Sequence, residues 1–142
     1  MQISAPFELV LFGGMGDLAQ RKLLPALYLL QRDGRLPEGK IISVTRRELE
    51  HEDYIEQVRK ALTTHVAKEY LEEAAWTEFA TKLQCVSLDA TDESAYSVLA
   101  DVLAKGDPNR VFYLATGSAL FSPICKGLKQ MGLIGSRTNV VL

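Results

Sequence analysis

The sequence predicts an α/β domain: a doubly wound, Rossmann-like parallel sheet of about five strands, with helices on both faces. Three observations carry that expectation. Short β-rich runs alternate with longer helical stretches, so that strand-helix-strand occurs four times over. The strand runs are mostly apolar and need not alternate, as strands buried on both faces allow. The first of them runs straight into a glycine-rich turn. Parallel crossovers are right-handed almost without exception, which leaves a doubly wound sheet as the leading topology.

Taken in order, Phe7 to Phe12 (FELVLF) is a compact apolar strand. Leu18 to Arg32 places Leu23, Leu24, Leu27, Tyr28 and Leu30 on one helix face, and Asp33-Gly34 ends it. Lys40 to Val44 (KIISV) is the second strand. A mostly helical insert follows from about Asp53 to Leu83. Ile55, Val58, Leu62 and Val66 have amphipathic spacing, as do Leu71, Ala75, Phe79 and Leu83, so two helices pair as a hairpin near His65 to Glu69. Gln84 to Leu88 (QCVSL) is the third strand. Thr91 or Asp92 caps the next helix, where Tyr96, Leu99, Val102 and Leu103 face inwards. Gly106-Asp107-Pro108-Asn109 is a turn. Val111 to Ala115 (VFYLA) is the fourth strand, Ser122 to Met131 another helix, and Asn139 to Leu142 the fifth strand. The chain stops there with no helix behind it, which reads as a domain cut from something longer.

Composition bounds the function. The 16 basic residues are outnumbered by 18 acidic ones, so the clustered basic surplus of a nucleic-acid surface is missing. No apolar run approaches the ~20 residues that span a bilayer. Met1 to Glu8 lacks the layout of a secretory signal. Cys85 and Cys125 form neither a metal-ligand spacing nor a disulfide framework and read as buried free thiols, so no metal is expected and a cytoplasmic location is the default.

The chemistry concentrates at Gly13-Gly14-Met15-Gly16, between the first strand and the helix that opens at Asp17. Glycines admit positive φ and close backbone approach, while free amides and the helix dipole favour an anion. The spacing is Gly13-x-x-Gly16-x-x-Ala19 rather than G-x-G-x-x-G, with Ala19 small enough for close helix-strand contact. Residues 1–142 thus read as one dinucleotide-binding domain. Asp17 is the expected N-cap, accepting from Ala19 or Gln20. Arg21 and Lys22 lie in the first turns, and Pro25 clashes with the carbonyl of Arg21, so a bend there is expected to tip Lys22 towards the cleft. An NAD site of this kind has a carboxylate near the end of strand two. Here Thr45-Arg46-Arg47 stands in that place, and the first carboxylate is Glu48. Two guanidiniums suit a 2′-phosphate, so the expected coenzyme is NADP, with Arg46 the nearer ligand and Arg47 stacking on adenine or lying in solvent.

The string FGGMGDLAQRKLLPALYLL, from Phe12 to Leu30, closely resembles the opening of glucose-6-phosphate dehydrogenases, whose turn reads G-x-x-G-D-L-A followed by basic residues and K-L/I-x-P. ISVTRR from Ile42 resembles the family's second strand, Leu88-Asp89 the end of its third, and NRVFYLA from Asn109 its fourth. The resemblance implies that Gly13, Gly14, Met15, Gly16, Asp17, Leu18, Arg46, Leu88, Asp89 and Ala115 line the coenzyme site, and that Lys22 reaches towards the substrate. It implies oxidation of glucose 6-phosphate to 6-phosphogluconolactone with hydride passing to NADP, a histidine of a separate substrate domain taking the proton, and a homo-oligomeric parent. The relatives' Pro-Pro pair is replaced by Thr116-Gly117-Ser118, so their cis-proline hinge is not carried over. The family's E-K-P and R-I-D-H-Y-L-G-K-E segments are absent, and His51 and His65 read as ordinary surface histidines. No catalytic residue is therefore expected in this chain, which should bind coenzyme without turnover.

Two other readings compete. A short-chain reductase or epimerase needs Tyr-x-x-x-Lys. Four residues beyond Tyr28, Tyr54, Tyr70, Tyr96 and Tyr113 stand Arg32, Val58, Ala74, Ala100 and Gly117, and none is lysine. The other is a free-standing NADP-binding or sensing module, which the sequence leaves open.

Overall fold

The computed structural model describes residues 6–105 and 108–142. Five strands, β1 (Phe7–Phe12), β2 (Gly39–Thr45), β3 (Leu83–Ser87), β4 (Asn109–Leu114) and β5 (Thr138–Val141), form one sheet in the order β3-β2-β1-β4-β5. All four pairings are parallel. This is the doubly wound sheet that the sequence predicts, with each strand within two residues of its expected bounds. The expected turn at Gly106-Asp107-Pro108-Asn109 lies partly outside the described residues.

Each strand turns alternate residues to opposite faces, and both faces are covered. On one side Val10, Phe12, Ile42, Val44, Val86, Phe112 and Leu114 pack against α4 (Tyr96–Val102) and α5 (Phe121–Gln130). On the other, Leu11, Ile41 and Leu83 pack against α1 (Leu24–Arg32), α2 (His51–His65) and α3 (Glu73–Ala80). Each large apolar side chain so buried contributes roughly 1.5–3 kcal/mol.

The insert is the helix hairpin its periodicity predicts, turning after His65 through a 3₁₀ turn at Lys68–Tyr70. Tyr28 of α1 fastens it. Its buried hydroxyl donates to the Tyr70 carbonyl (2.9 Å) and accepts from the Glu72 N–H (2.9 Å), while its ring meets Phe79 edge-on at 5.8 Å. Helix α1 ends as expected at Asp33-Gly34. Arg35 N–H bonds the Leu30 carbonyl and Gly34 N–H that of Gln31, the paired bonds of a Schellman ending.

The helix expected from Leu18 is not uniform. Ala19–Leu23 form a π turn, closed by Leu24 N–H on the Ala19 carbonyl, before α-helical bonding resumes at Leu24. Pro25 offers no N–H, so the carbonyl of Arg21 has no i+4 donor, and the wider turn accommodates the ring. Where the sequence predicts a bend near Arg21, the helix has this π turn.

At the N-terminal end of the sheet, Glu8 and Arg110 face each other in register on β1 and β4, both buried. The Arg110 guanidinium donates to Glu8 Oε1 (2.8 and 3.0 Å) and to the carbonyls of Ala104 (2.8 Å) and Leu133 (2.9 Å). Glu8 Oε2 accepts from Ala104 N–H at 2.8 Å. One ion pair thus joins two strands to two loops.

Candidate functional site

Strand order reverses at β1, with β2 on one side and β4 on the other. The connections leaving β1 and β4 therefore diverge and open a crevice beyond their C-terminal ends. There Phe12, Gly13, Met15, Gly16, Val44, Thr45, Arg46, Arg47, Leu88, Ala90, Thr116 and Leu120 enclose an open pocket of about 350 Å³.

The glycine turn follows from close approach. Gly13 has φ +80°, and a side chain there would bring Cβ to 2.5 Å from the Ala115 carbonyl oxygen. Gly14 leaves no room for a Cβ against Ser43 of β2. Both glycine amides are taken up by the Val44 carbonyl, at 3.0 Å for Gly13 and 3.3 Å for Gly14. The Gly14 carbonyl accepts from Gln20 Nε2 at 2.7 Å. The turn is therefore tied to β2 below and to the helix above. The first helical bond runs from Gln20 N–H to the Gly16 carbonyl (3.0 Å), so the amides of Asp17, Leu18 and Ala19 precede the ladder and are available to an anion. Ala19 is fully buried, as its small size required.

Two expectations need correction. Asp17 is not the N-cap. Its carboxylate accepts from Arg21 Nη2 (2.9 Å) and Nε (3.1 Å), an exposed pair one turn apart, and the capping carbonyl belongs to Gly16. Asp17 is already inside the helix, one residue past the cap, so its carboxylate points away from the first-turn amides and meets Arg21 one turn on. Secondly, Cys85 and Cys125 are free but only half-buried.

Of the residues singled out from sequence, Gly13, Met15, Gly16, Arg46, Arg47 and Leu88 meet in the pocket, and Gly14 lies directly beneath it. Asp17 and Leu18 stand exposed at the helix opening, and Ala115 adjoins the pocket through its bond to Phe12 (2.9 Å). Lys22 is exposed, forms no ion pair among the described residues and does not line the pocket. His51 and His65 are likewise exposed, as expected. Ala90, Thr116 and Leu120 were not named as ligands; they follow β3 and β4, and only the strand order brings them beside Thr45 at the end of β2.

Arg46 forms no direct ion pair with the described residues, whereas Arg47 Nη2 makes one long bond to Gln57 (3.4 Å). Asp89 lies just beyond Leu88, exposed. Its carboxylate accepts from Thr91 Oγ1 (2.7 Å) and N–H (2.9 Å), which hold it below the usual carboxylate range, with the Arg46 charge adding to the effect. Asp92 caps the following turn through Ser94 N–H at 3.1 Å, one of the two caps the sequence offered. Beneath the pocket, Tyr96 donates to the Ala90 carbonyl at 2.9 Å. Burial and the nearby Asp89 and Cys125 push its hydroxyl up to about 12.

A parallel sheet of this order, with a glycine turn at its switch point, defines a doubly wound nucleotide-binding domain. Residues 10–142 match the family described as "Glucose-6-phosphate dehydrogenase, NAD binding domain". The chain belongs to that family. It is 44% identical to the glucose-6-phosphate 1-dehydrogenase of Mycolicibacterium smegmatis, over 96% of this chain and 29% of that protein. The corresponding enzyme of Rhizobium meliloti is 41% identical, again over 96% of this chain and 28% of its own length. The crystal structure of glucose-6-phosphate 1-dehydrogenase from Mycobacterium avium superposes with a TM-score of 0.86 at 33% identity, covering 96% of this chain and 29% of that one. A glucose-6-phosphate dehydrogenase in complex with its substrate glucose-6-phosphate superposes at 0.78 with 26% identity, over 100% of this chain and 31% of that one. The chain thus spans less than a third of the length of these relatives.

Proposed function

We propose that this chain is the coenzyme-holding part of an NADP-dependent glucose-6-phosphate dehydrogenase. The observation that carries the coenzyme reading is the lining of a single pocket by the Gly13–Gly16 turn and by Arg46 and Arg47. The amides at the helix opening receive the pyrophosphate, and Arg46, with no carboxylate paired to it, grips the 2′-phosphate. Leu88 and Ala90 supply apolar wall for the adenosine, with Arg47 beside it. The residues fit the group: the amides of Asp17, Leu18 and Ala19 precede the helical ladder where phosphate approaches, and Phe12, Val44, Leu88, Ala90 and Leu120 give the pocket an apolar wall. NADP supplies the hydride acceptor, which in such an enzyme takes hydride from C1 of glucose 6-phosphate to give 6-phosphogluconolactone. The hydroxyl proton needs a base that this pocket lacks, since neither histidine lines it. Binding without turnover is the expected behaviour of these residues alone.

The test is a titration of the chain with NADP and NAD, repeated for Arg46→Ala. The wild type should prefer NADP, and loss of one charge-assisted contact should cut that preference by roughly ten- to a hundredfold with NAD affinity nearly unmoved. An unchanged ratio of the two affinities overturns the assignment of Arg46.

A further inference from the structure

Gly14 rests on β2 through a single side chain, that of Ser43, with backbone so close that any Cβ at position 14 would meet Ser43 Cα, Cβ and Oγ. Ser43 is a polar residue with no exposed surface, set between Ile42 and Val44 in the buried part of β2. Its hydroxyl bonds the hydroxyl of Tyr54 at 2.7 Å, and Tyr54 is equally buried, on α2. Buried hydroxyls are costly unless paired, and here each satisfies the other. Two apolar side chains would fill the same space without that demand. The pair stands directly beneath the turn that leads into the helix opening, and it connects that turn to the helical insert. The geometry points to Ser43 and Tyr54 as positioning residues: their shared hydrogen bond fixes the rotamer on which Gly14 sits, and so fixes the level of the Gly13–Gly16 turn and of the helix opening behind it, whose Asp17, Leu18 and Ala19 amides receive the coenzyme's pyrophosphate. This rests on the coenzyme reading above. Burial raises the Tyr54 hydroxyl far above its ordinary range, so the bond persists at any pH the protein meets.

The experiment compares the full chain with Tyr54→Phe and with the double variant Ser43→Ala/Tyr54→Phe, by amide hydrogen exchange without coenzyme and by titration with NADP and NAD. Tyr54→Phe orphans the Ser43 hydroxyl and frees its rotamer. Exchange at the Gly13–Gly16 amides should quicken, and affinity should fall roughly fivefold to tenfold. The loss should be equal for NADP and NAD, because the pyrophosphate is common to both and the 2′-phosphate contact is untouched. The double variant removes both polar groups and should recover most of the affinity. A Tyr54→Phe protein that melts earlier, yet keeps wild-type exchange at these amides and wild-type affinity, overturns the proposal and leaves the pair a packing contact. Failure of the wild type to bind either coenzyme would sink the coenzyme reading instead, and the exchange comparison still decides the role of the pair.

Discussion

At the scale of single residues, position in the sheet decides what a group does. Cys85 on β3 lies near both Arg47 and Tyr54, and burial pushes its thiol up to about 11, against a smaller downward pull from Arg47. A group whose folded pKa is raised contributes stability that is complete below its unfolded value, near 9, and is lost as pH rises towards the folded one. Urea midpoints should therefore hold steady up to about pH 9 and fall between there and pH 11, and Cys85→Ala should flatten part of that fall. An equally steep decline in the variant would assign it to other groups. Arg46 and Arg47 were legible in the sequence because a missing carboxylate is visible there. The Ser43–Tyr54 bond was not, since 11 positions separate two residues whose hydroxyls meet only when α2 folds back on β2. Asp17 misled for a related reason. A carboxylate at a helix opening reads as a cap, but the helix opens one residue earlier, at Gly16, and leaves Asp17 to pair with Arg21 one turn on.

At the scale of elements, all five strands and the helical hairpin were legible, because apolar runs and 3.6-residue spacing survive in any context. The π turn was not. The buried residues of this segment are Ala19, Leu24, Pro25 and Tyr28; Ala19 and Leu24 stand five apart, so one surplus residue resets the phase of the helix before Pro25. Sequence periodicity cannot separate such a step from an ordinary helix. The hairpin depends on α1 through one hydroxyl. Tyr28→Phe should cost about 1–3 kcal/mol by leaving the Glu72 N–H and Tyr70 carbonyl without that partner. Faster hydrogen exchange at Glu72, with α4 and α5 unaffected, would show that the loss is local to the hairpin. An unaltered Glu72 amide would deny Tyr28 that role.

At the scale of the whole molecule, the site was legible only in part. Residues that follow the first and second strands announce themselves, while Thr116 and Leu120 reach the pocket because β4 lies beside β1. The opposite end of the sheet is held by Glu8 and Arg110. Glu8→Ala would strand a buried guanidinium and should cost about 3–5 kcal/mol, while Glu8→Leu with Arg110→Met should recover much of it. Coenzyme affinity of the folded variants should not move, since the pair lies a full strand length from the pocket. A single variant that unfolds no more easily than the wild type would show that the pair adds no strength. The pairing has another consequence. The two buried cations at that end, Arg110 and Lys82, each face a carboxylate, Glu8 and Glu38. Arg46 at the other end makes no such direct pair with the described residues, Asp89 acting on it only at longer range. On the coenzyme reading proposed above, this makes the sheet asymmetric towards phosphate: its buried cations at the base are already neutralised, and the guanidinium left without a direct pair stands at the rim.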